Sequence, residues 1–431
     1  AAKTGDGIMN TPFMLIRLSL QSLWSRRGTA ILIVLALAMG VALLLGVEKL
    51  RQGARNGFAN TISGTDLVVG ARSGSLNLLL YAVFRVGNAT SNVSWSAYRR
   101  IAEHPDVAWT IPLSLGDNHR GYRVVGTSED YFAHLRYGRG RHLEFTAGKA
   151  FSDVFDVVLG AEVAAALAYR VGDEIVVSHG LGEINTNTHD DRPFRVSGIL
   201  ARTGTPVDRS LHVSLAGIEA MHIDWREGTR QPGLRFSPER LRNMKLQPRA
   251  VTAFLVGLKS RFAVFTLQRE INNDRREPLL AILPGVALQQ LWSLMRNVEW
   301  ALTAIATLVA LSALLGMLAM LLAGLGERRR EIAIFRSVGA RPWQVIFLVT
   351  SEAVGLVIVA MVLGLAVLFG ALVLAENWMA ETYGVRAAGT GLGTLELAYL
   401  AGILLVGLLA GLLPSVAAYR RSVADGLTIR L

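Results

Sequence analysis

Four long stretches with almost no charge constrain this chain more than any other feature of its 431 residues. Thr29–Val47 is 19 residues without a charge and Trp300–Leu325 is 26. Each is long enough to cross the ~30 Å hydrocarbon layer of a bilayer as a helix. A third run, 343–375, has Glu352 as its only charge, and a fourth, 397–418, carries Pro414 near its end. Backbone groups in lipid must be hydrogen-bonded within their own segment, so the runs predict four membrane helices, at 29–47, 298–325, 343–375 and 397–418. The composition agrees: 52% of residues are apolar and only 18% charged, which excludes a disordered tail or an ordinary soluble enzyme. The absence of cysteine excludes disulfides, thiolate metal sites and cysteine nucleophiles.

The first run could be a signal peptide with Arg26 and Arg27 as its basic leader. It is long for such a segment and has no small-x-small cleavage site before Glu48, so a retained anchor is the reading. Ala1–Ile8 reads as a remnant of processing or expression, with Met9 as the native start. Within 1–28, Thr11–Arg27 spaces Phe13, Ile16, Leu20, Leu23 and Trp24 as one helical face. That suits an interfacial helix, or a plain extension of the first span.

Orientation follows from the basic residues beside the spans. Arg17, Arg26 and Arg27 precede the first, Arg328, Arg329, Arg330, Arg336 and Arg341 separate the second from the third, and Arg420 and Arg421 follow the fourth. With four crossings all three groups fall on one side, which the positive-inside rule makes cytoplasmic. The loop 376–396 carries Glu376, Glu381 and Glu396 against Arg386, the opposite bias. Both termini, including the tail 419–431, are therefore expected in the cytoplasm of a multi-pass protein, with one domain, 48–297, outside. The net charge of +11 then needs no nucleic acid.

That outer region mixes periods. Asp66–Val69, Tyr122–Val125, Val157–Leu159, Glu174–Val177, Phe194–Ile199 and Thr252–Leu258 are short β-rich runs bounded by Gly, Asp or Pro. Ser94–His104, Gly160–Ala168 and Phe262–Asn272 carry the 3.6-residue apolar period of surface helices. An α+β domain inserted between helices one and two is the economical class. Glu48–Asn60 and Leu288–Glu299 are predicted to prolong the adjoining spans as a stalk. Asp224–Arg249 is rich in arginine and reads as a solvated basic loop, or as a dock for an acidic partner or anionic headgroup.

Catalysis has no candidate. The string nearest a phosphate-binding loop, Thr146–Ala150, lacks the upstream Gly and the terminal hydroxyl, so ATP hydrolysis is not expected of this chain and no cofactor is predicted. His179, His189, Asp190, Asp191, His212 and His222 lie in one stretch, but their spacings match no compact ligand motif. Polar loop residues are the reading. Glu352, two to three turns into the third span, could serve a proton relay, but without a partner base in another span it reads as a hydrogen-bonding group between helices.

The segment 326–342, GERRREIAIFRSVGARP, is more patterned than topology requires. Ile332, Phe335 and Val338 share a helical face flanked by Arg328 and Glu331, and Gly339 and Pro342 supply a stop. This predicts a short amphipathic helix between spans two and three, suited to lodge in a cleft on a soluble partner.

Here the chain resembles the MacB/FtsX-like permeases of ABC transporters. The family pattern is met by Glu327, Arg328, Glu331, Ile332, Arg336, Gly339, Ala340, Ile346 and Glu352. Leu413–Leu427 resembles the family's C-terminal end, with Val423 where a Pro is usual, and Val157–Ile175 and Phe194–Leu200 resemble its periplasmic core. The resemblance implies an ATPase subunit docked at Glu327, Arg328, Arg329, Glu331, Ile332, Phe335, Arg336, Gly339 and Ala340, with ATP bound by that subunit. It further implies a second permease copy, identical or homologous, contact with membrane lipid, and a bacterial inner-membrane location. Export or outer-leaflet extraction, with or without a periplasmic adaptor, is one expected function. An FtsX-like regulator that transmits motion to a cell-wall enzyme without transport is the alternative, although its outer domain is typically much smaller. An ion-coupled carrier relying on Glu352 is the third.

Overall fold

In the computed structural model the four apolar runs lie in four long helices, Arg27–Thr61, Pro284–Ser337, Pro342–Tyr383 and Thr394–Arg420. Residues 27–179, 192–226, 229–230, 236–337, 341–383 and 391–420 are described. Each helix holds a stretch long and apolar enough to cross a membrane. The segment Thr11–Arg26 lies outside the described residues.

The membrane unit reaches through Gln52 on the first helix, resumes at Arg296 on the second, and includes the fourth. On the first helix Ile33, Leu37, Val41 and Leu45 are buried, while Ile31, Leu35, Met39 and Leu43 are exposed. Both sets recur every four residues, so one apolar stripe faces the bundle and another is left for lipid. Small residues let the backbones close up. A Cβ on Gly40 would stand 3.0 Å from the Ala310 Cα, and one on Gly364 would meet the Ala38 carbonyl at 2.7 Å. The contacts also fix direction. Gly46 meets Leu368 and Gly364 meets Val41, so the third helix runs parallel to the first. Gly411 and Gly407 on the fourth meet Ala353 and Val357 on the third in reversed order, so those two are antiparallel.

The second unit, Gly53–Met295, is built on an 11-stranded mixed sheet. Its strand order is Leu279–Ile282, Leu67–Ala71, Ala253–Leu258, Val107–His119, Tyr122–Thr127, Ser210–Ser214, Asp156–Leu159, Phe194–Leu200 and Phe145–Gly148. Ser178–His179 and Glu174–Ile175 pair off this path. Two neighbouring pairs are parallel, Tyr122–Thr127 with Ser210–Ser214 and Asp156–Leu159 with Phe194–Leu200, and the rest are antiparallel.

Both faces of the sheet are covered. In the strand Leu67–Ala71, Leu67 and Val69 join a core that includes Ala97, Ile101, Val264 and Leu267 of the helices Trp95–Ala102 and Val264–Asn272. Val68 points the other way, into a core with Leu78, Leu79 and Tyr81 of the helix Ser75–Ala82. That strand alternation over two layers explains why a short run can be apolar throughout. Gly70 is required there, because a Cβ would lie 2.6 Å from both Leu78 and the Tyr81 hydroxyl. Each fully buried side chain such as Phe254 contributes about 1.5–3 kcal/mol relative to exposure.

All six predicted strands and all three predicted helices of this domain form, with ends shifted by a few residues. The basic stretch Asp224–Arg249 differs from the loop expected of it. It contains a hairpin, Trp225–Arg226 with Thr229–Arg230, and a helix, Pro238–Arg242, capped by the Ser237 hydroxyl. Asp224 and Leu241 are buried, and Arg242 pairs with Asp153 at 2.8 Å, so part of this stretch is internal structure rather than a solvated loop.

Candidate functional site

The segment that carries the family pattern is not the separate short helix its sequence suggests. The second helix continues without a break from Pro284 through Ser337, 54 residues, so Glu327–Arg336 form its last turns. The run from Glu327 to Ser337 contains no Gly or Pro and is rich in Glu, Arg, Ile and Ala, so nothing in it stops a helix already under way. Side chains of 325–340 lie outside the described residues, as do Gly339 and Ala340 altogether. The third helix starts at Pro342, where the missing N–H costs nothing. The Gln344 side chain accepts the Arg341 N–H at 2.7 Å, satisfying one exposed donor of that helix start.

One and a half turns further in, the Thr350 and Ser415 hydroxyls bond at 2.9 Å across the third and fourth helices, and Ser415 also donates to the Gly411 carbonyl at 2.6 Å. Glu352 sits beside this junction and is 2% exposed.

The opposite end of the first helix holds charges that the spacing of the spans did not single out. Glu48 and Lys49 are both buried, yet their side chains part company. Glu48 accepts from Arg51 at 2.6 Å and from Gln52 at 2.7 Å on its own helix. Lys49 reaches the fourth helix instead, with its ammonium 3.1 Å from Glu396 and 2.5 Å from the Gly391 carbonyl. The other Glu396 oxygen accepts the Gly393 N–H at 2.5 Å, just before the helix begins. The residue types were visible in the sequence, just past the end of one predicted span and just before the start of another, but nothing in the sequence pairs positions 347 apart.

In the sheet domain several buried titratable groups are held by neighbouring residues. Arg192 forks onto both Asp224 oxygens, at 2.8 and 2.7 Å, and donates to the Ala220 and Met221 carbonyls, with about 1% of either side chain exposed. His212 is fully buried with its Nε2 3.1 Å from the Tyr131 hydroxyl, and burial, reinforced by the nearby Arg85, pushes its pKa down to about 3. For His222, burial works against protonation, but the Asp117 carboxylate 3.6 Å away and Glu219 outweigh it and raise the pKa. His212 and His222 thus sit in different surroundings, and His189, Asp190 and Asp191 lie outside the described residues. Among the described residues no three His, Asp or Glu side chains group as a metal site.

A bundle of four membrane-length helices with a large mixed-sheet domain inserted after the first is the architecture of a multi-pass membrane protein with an extramembrane domain. Two family models match: MacB-like periplasmic core domain over residues 30–273 and FtsX-like permease C-terminal over residues 303–423. The chain belongs to the MacB/FtsX-like family of ABC-transporter permeases, membrane subunits that work with ATPase partners. Its four apolar helices and periplasmic-type domain fit an inner-membrane protein.

Among solved structures it is similar to the periplasmic region of MacB from Actinobacillus actinomycetemcomitans, at 13% identity and a TM-score of 0.34, over 54% of this chain and 94% of that one. It is also similar to the extracellular domain of the noncanonic ABC-type transporter YknZ from Gram-positive bacteria, at 10% identity and a TM-score of 0.30, over 51% and 99%. No curated protein matches the chain. The two family models, rather than these superpositions, carry the assignment.

Proposed function

We propose that this permease subunit transmits ATP-driven motion of a separate ATPase subunit to its periplasmic domain, for export or outer-leaflet extraction of a peptide, drug, lipid or lipoprotein. The supporting observation is the unbroken second helix, which carries the proposed docking residues at one end and leaves the domain's last strand, Leu279–Ile282, at the other. At 1.5 Å per residue it is about 80 Å long. A continuous helix passes displacement along its axis with little loss, because each turn is hydrogen-bonded to the next. The first helix, Arg27–Thr61, likewise enters the domain without a break.

On this reading Glu327, Arg328, Arg329, Glu331, Ile332, Phe335, Arg336, Gly339 and Ala340 meet the ATPase, both termini are cytoplasmic, and two permease copies act together. Charge reversal of Arg328 and Glu331 combined with F335D abolishes co-purification of the ATPase while the permease still inserts. Undiminished ATPase binding sinks the docking assignment. An ATPase that co-purifies with a cell-wall hydrolase or its activator, rather than with a substrate or adaptor, favours transmission without transport.

A further inference from the structure

Lys49 and Glu396 occupy the bundle at 3% and 0% side-chain exposure, at the end of the first span and the start of the fourth. Charges buried this fully are costly, and an apolar pair would hold two helices together at lower cost. What an ion pair adds is direction and specificity. Each partner here is also committed to backbone, Lys49 to the Gly391 carbonyl and Glu396 to the Gly393 N–H. The contact therefore fastens the first helix to the loop before the fourth helix as well as to the helix itself. Glu48, the adjacent acid, accepts from Arg51 and Gln52 of its own helix. Breaking a buried ion pair costs more than keeping it, which favours a tie that stays closed over one that opens and shuts.

We infer that the Lys49–Glu396 pair is a clamp that makes the first span, the loop residues Gly391–Gly393 and the fourth span move as one body, so that motion reaching the first helix also carries the outer end of the fourth. The inference rests on the reading of this chain as a motion-transmitting permease. Lys49 and Glu396 act through the helices they join and are positioning residues.

The chain contains no cysteine, so spin labels can be placed without background. Labels at L43C on the first span and L405C on the fourth, both exposed positions, report their separation in full-length permease in lipid nanodiscs. The clamp predicts one narrow distance distribution, the same for permease alone, for the nucleotide-free complex with its ATPase and for the ATP-trapped complex. E396Q adds a second, longer-distance population in every state. A wild-type distance that changes with nucleotide, or an E396Q distribution identical to wild type, overturns the clamp. If E396Q does not insert, K49Q supplies the same comparison. A permease that binds no ATPase refutes the functional reading but leaves the permease-alone comparison to decide the clamp.

Discussion

The membrane bundle and the periplasmic domain bury charge for different ends. In the domain, Arg192 and Asp224 are close in sequence, bidentate, and surrounded by the carbonyls of the helix Leu215–His222, so the pair fixes one local corner. In the bundle, Lys49 and Glu396 are far apart in sequence and join two helices end to end. The packing differs in the same way. The domain fills both faces of a sheet with large β-branched and aromatic residues, whereas the bundle brings backbones together over Gly and Ala. The domain's pair fixes a local corner, and the bundle's pair ties helices that are distant in sequence.

The strongest way to break this contrast is R192A. It removes the guanidinium from the buried Asp224 carboxylate, and breaking a buried pair from one side costs about 3–5 kcal/mol. Thermal unfolding followed on the domain is expected to shift far downward, and an unshifted transition would show that the pair is dispensable.

A pH series sharpens the same point. The folded pKa of His212 lies below that of an unfolded histidine, so the unfolded chain takes up a proton that the fold refuses. Stability from this residue is complete above about pH 6.5 and falls as the pH is lowered toward about 3. Between pH 6.5 and 4.5 the loss is about 2–3 kcal/mol, and denaturation of H212Q should show a flatter acid limb. An unchanged limb would move the acid sensitivity elsewhere.

The smallest expected effect tests the bundle. A Cβ on Gly411 would meet the Ala353 methyl at 2.6 Å, so G411V overpacks the third and fourth helices by about 1–3 kcal/mol. Loss of thermal stability in detergent should be confined to the membrane unit, with the domain transition unaffected.

Much of the domain was legible because its strands are short apolar runs between turn residues, as in Phe194–Leu200, whose side chains alternate buried and less buried. The 13-residue strand Val107–His119 was not, since Pro112 interrupts it. A proline normally demotes a run to an edge. It is tolerated here because the neighbouring strand ends at Thr127, whose hydroxyl donates to the Pro112 carbonyl at 2.8 Å. Ser210–Ser214 was missed for a related reason: its buried His212 and Ser210 look polar on paper, and their partners, the Tyr131 hydroxyl and the Pro206 carbonyl, come from elsewhere in the fold.

By itself the sequence determined that four helices long enough for a membrane exist, that an α+β domain separates the first two, and that the chain resembles the MacB/FtsX-like permeases. Those properties depend on local runs, because transfer to lipid and strand alternation act on neighbours in the chain. Tertiary structure decided that the arginine-rich segment up to Ser337 prolongs the second helix, and that Lys49, not Glu48, meets Glu396. Which of two adjacent charges crosses to another helix depends on where that helix lies, and that is set by packing between residues hundreds of positions apart.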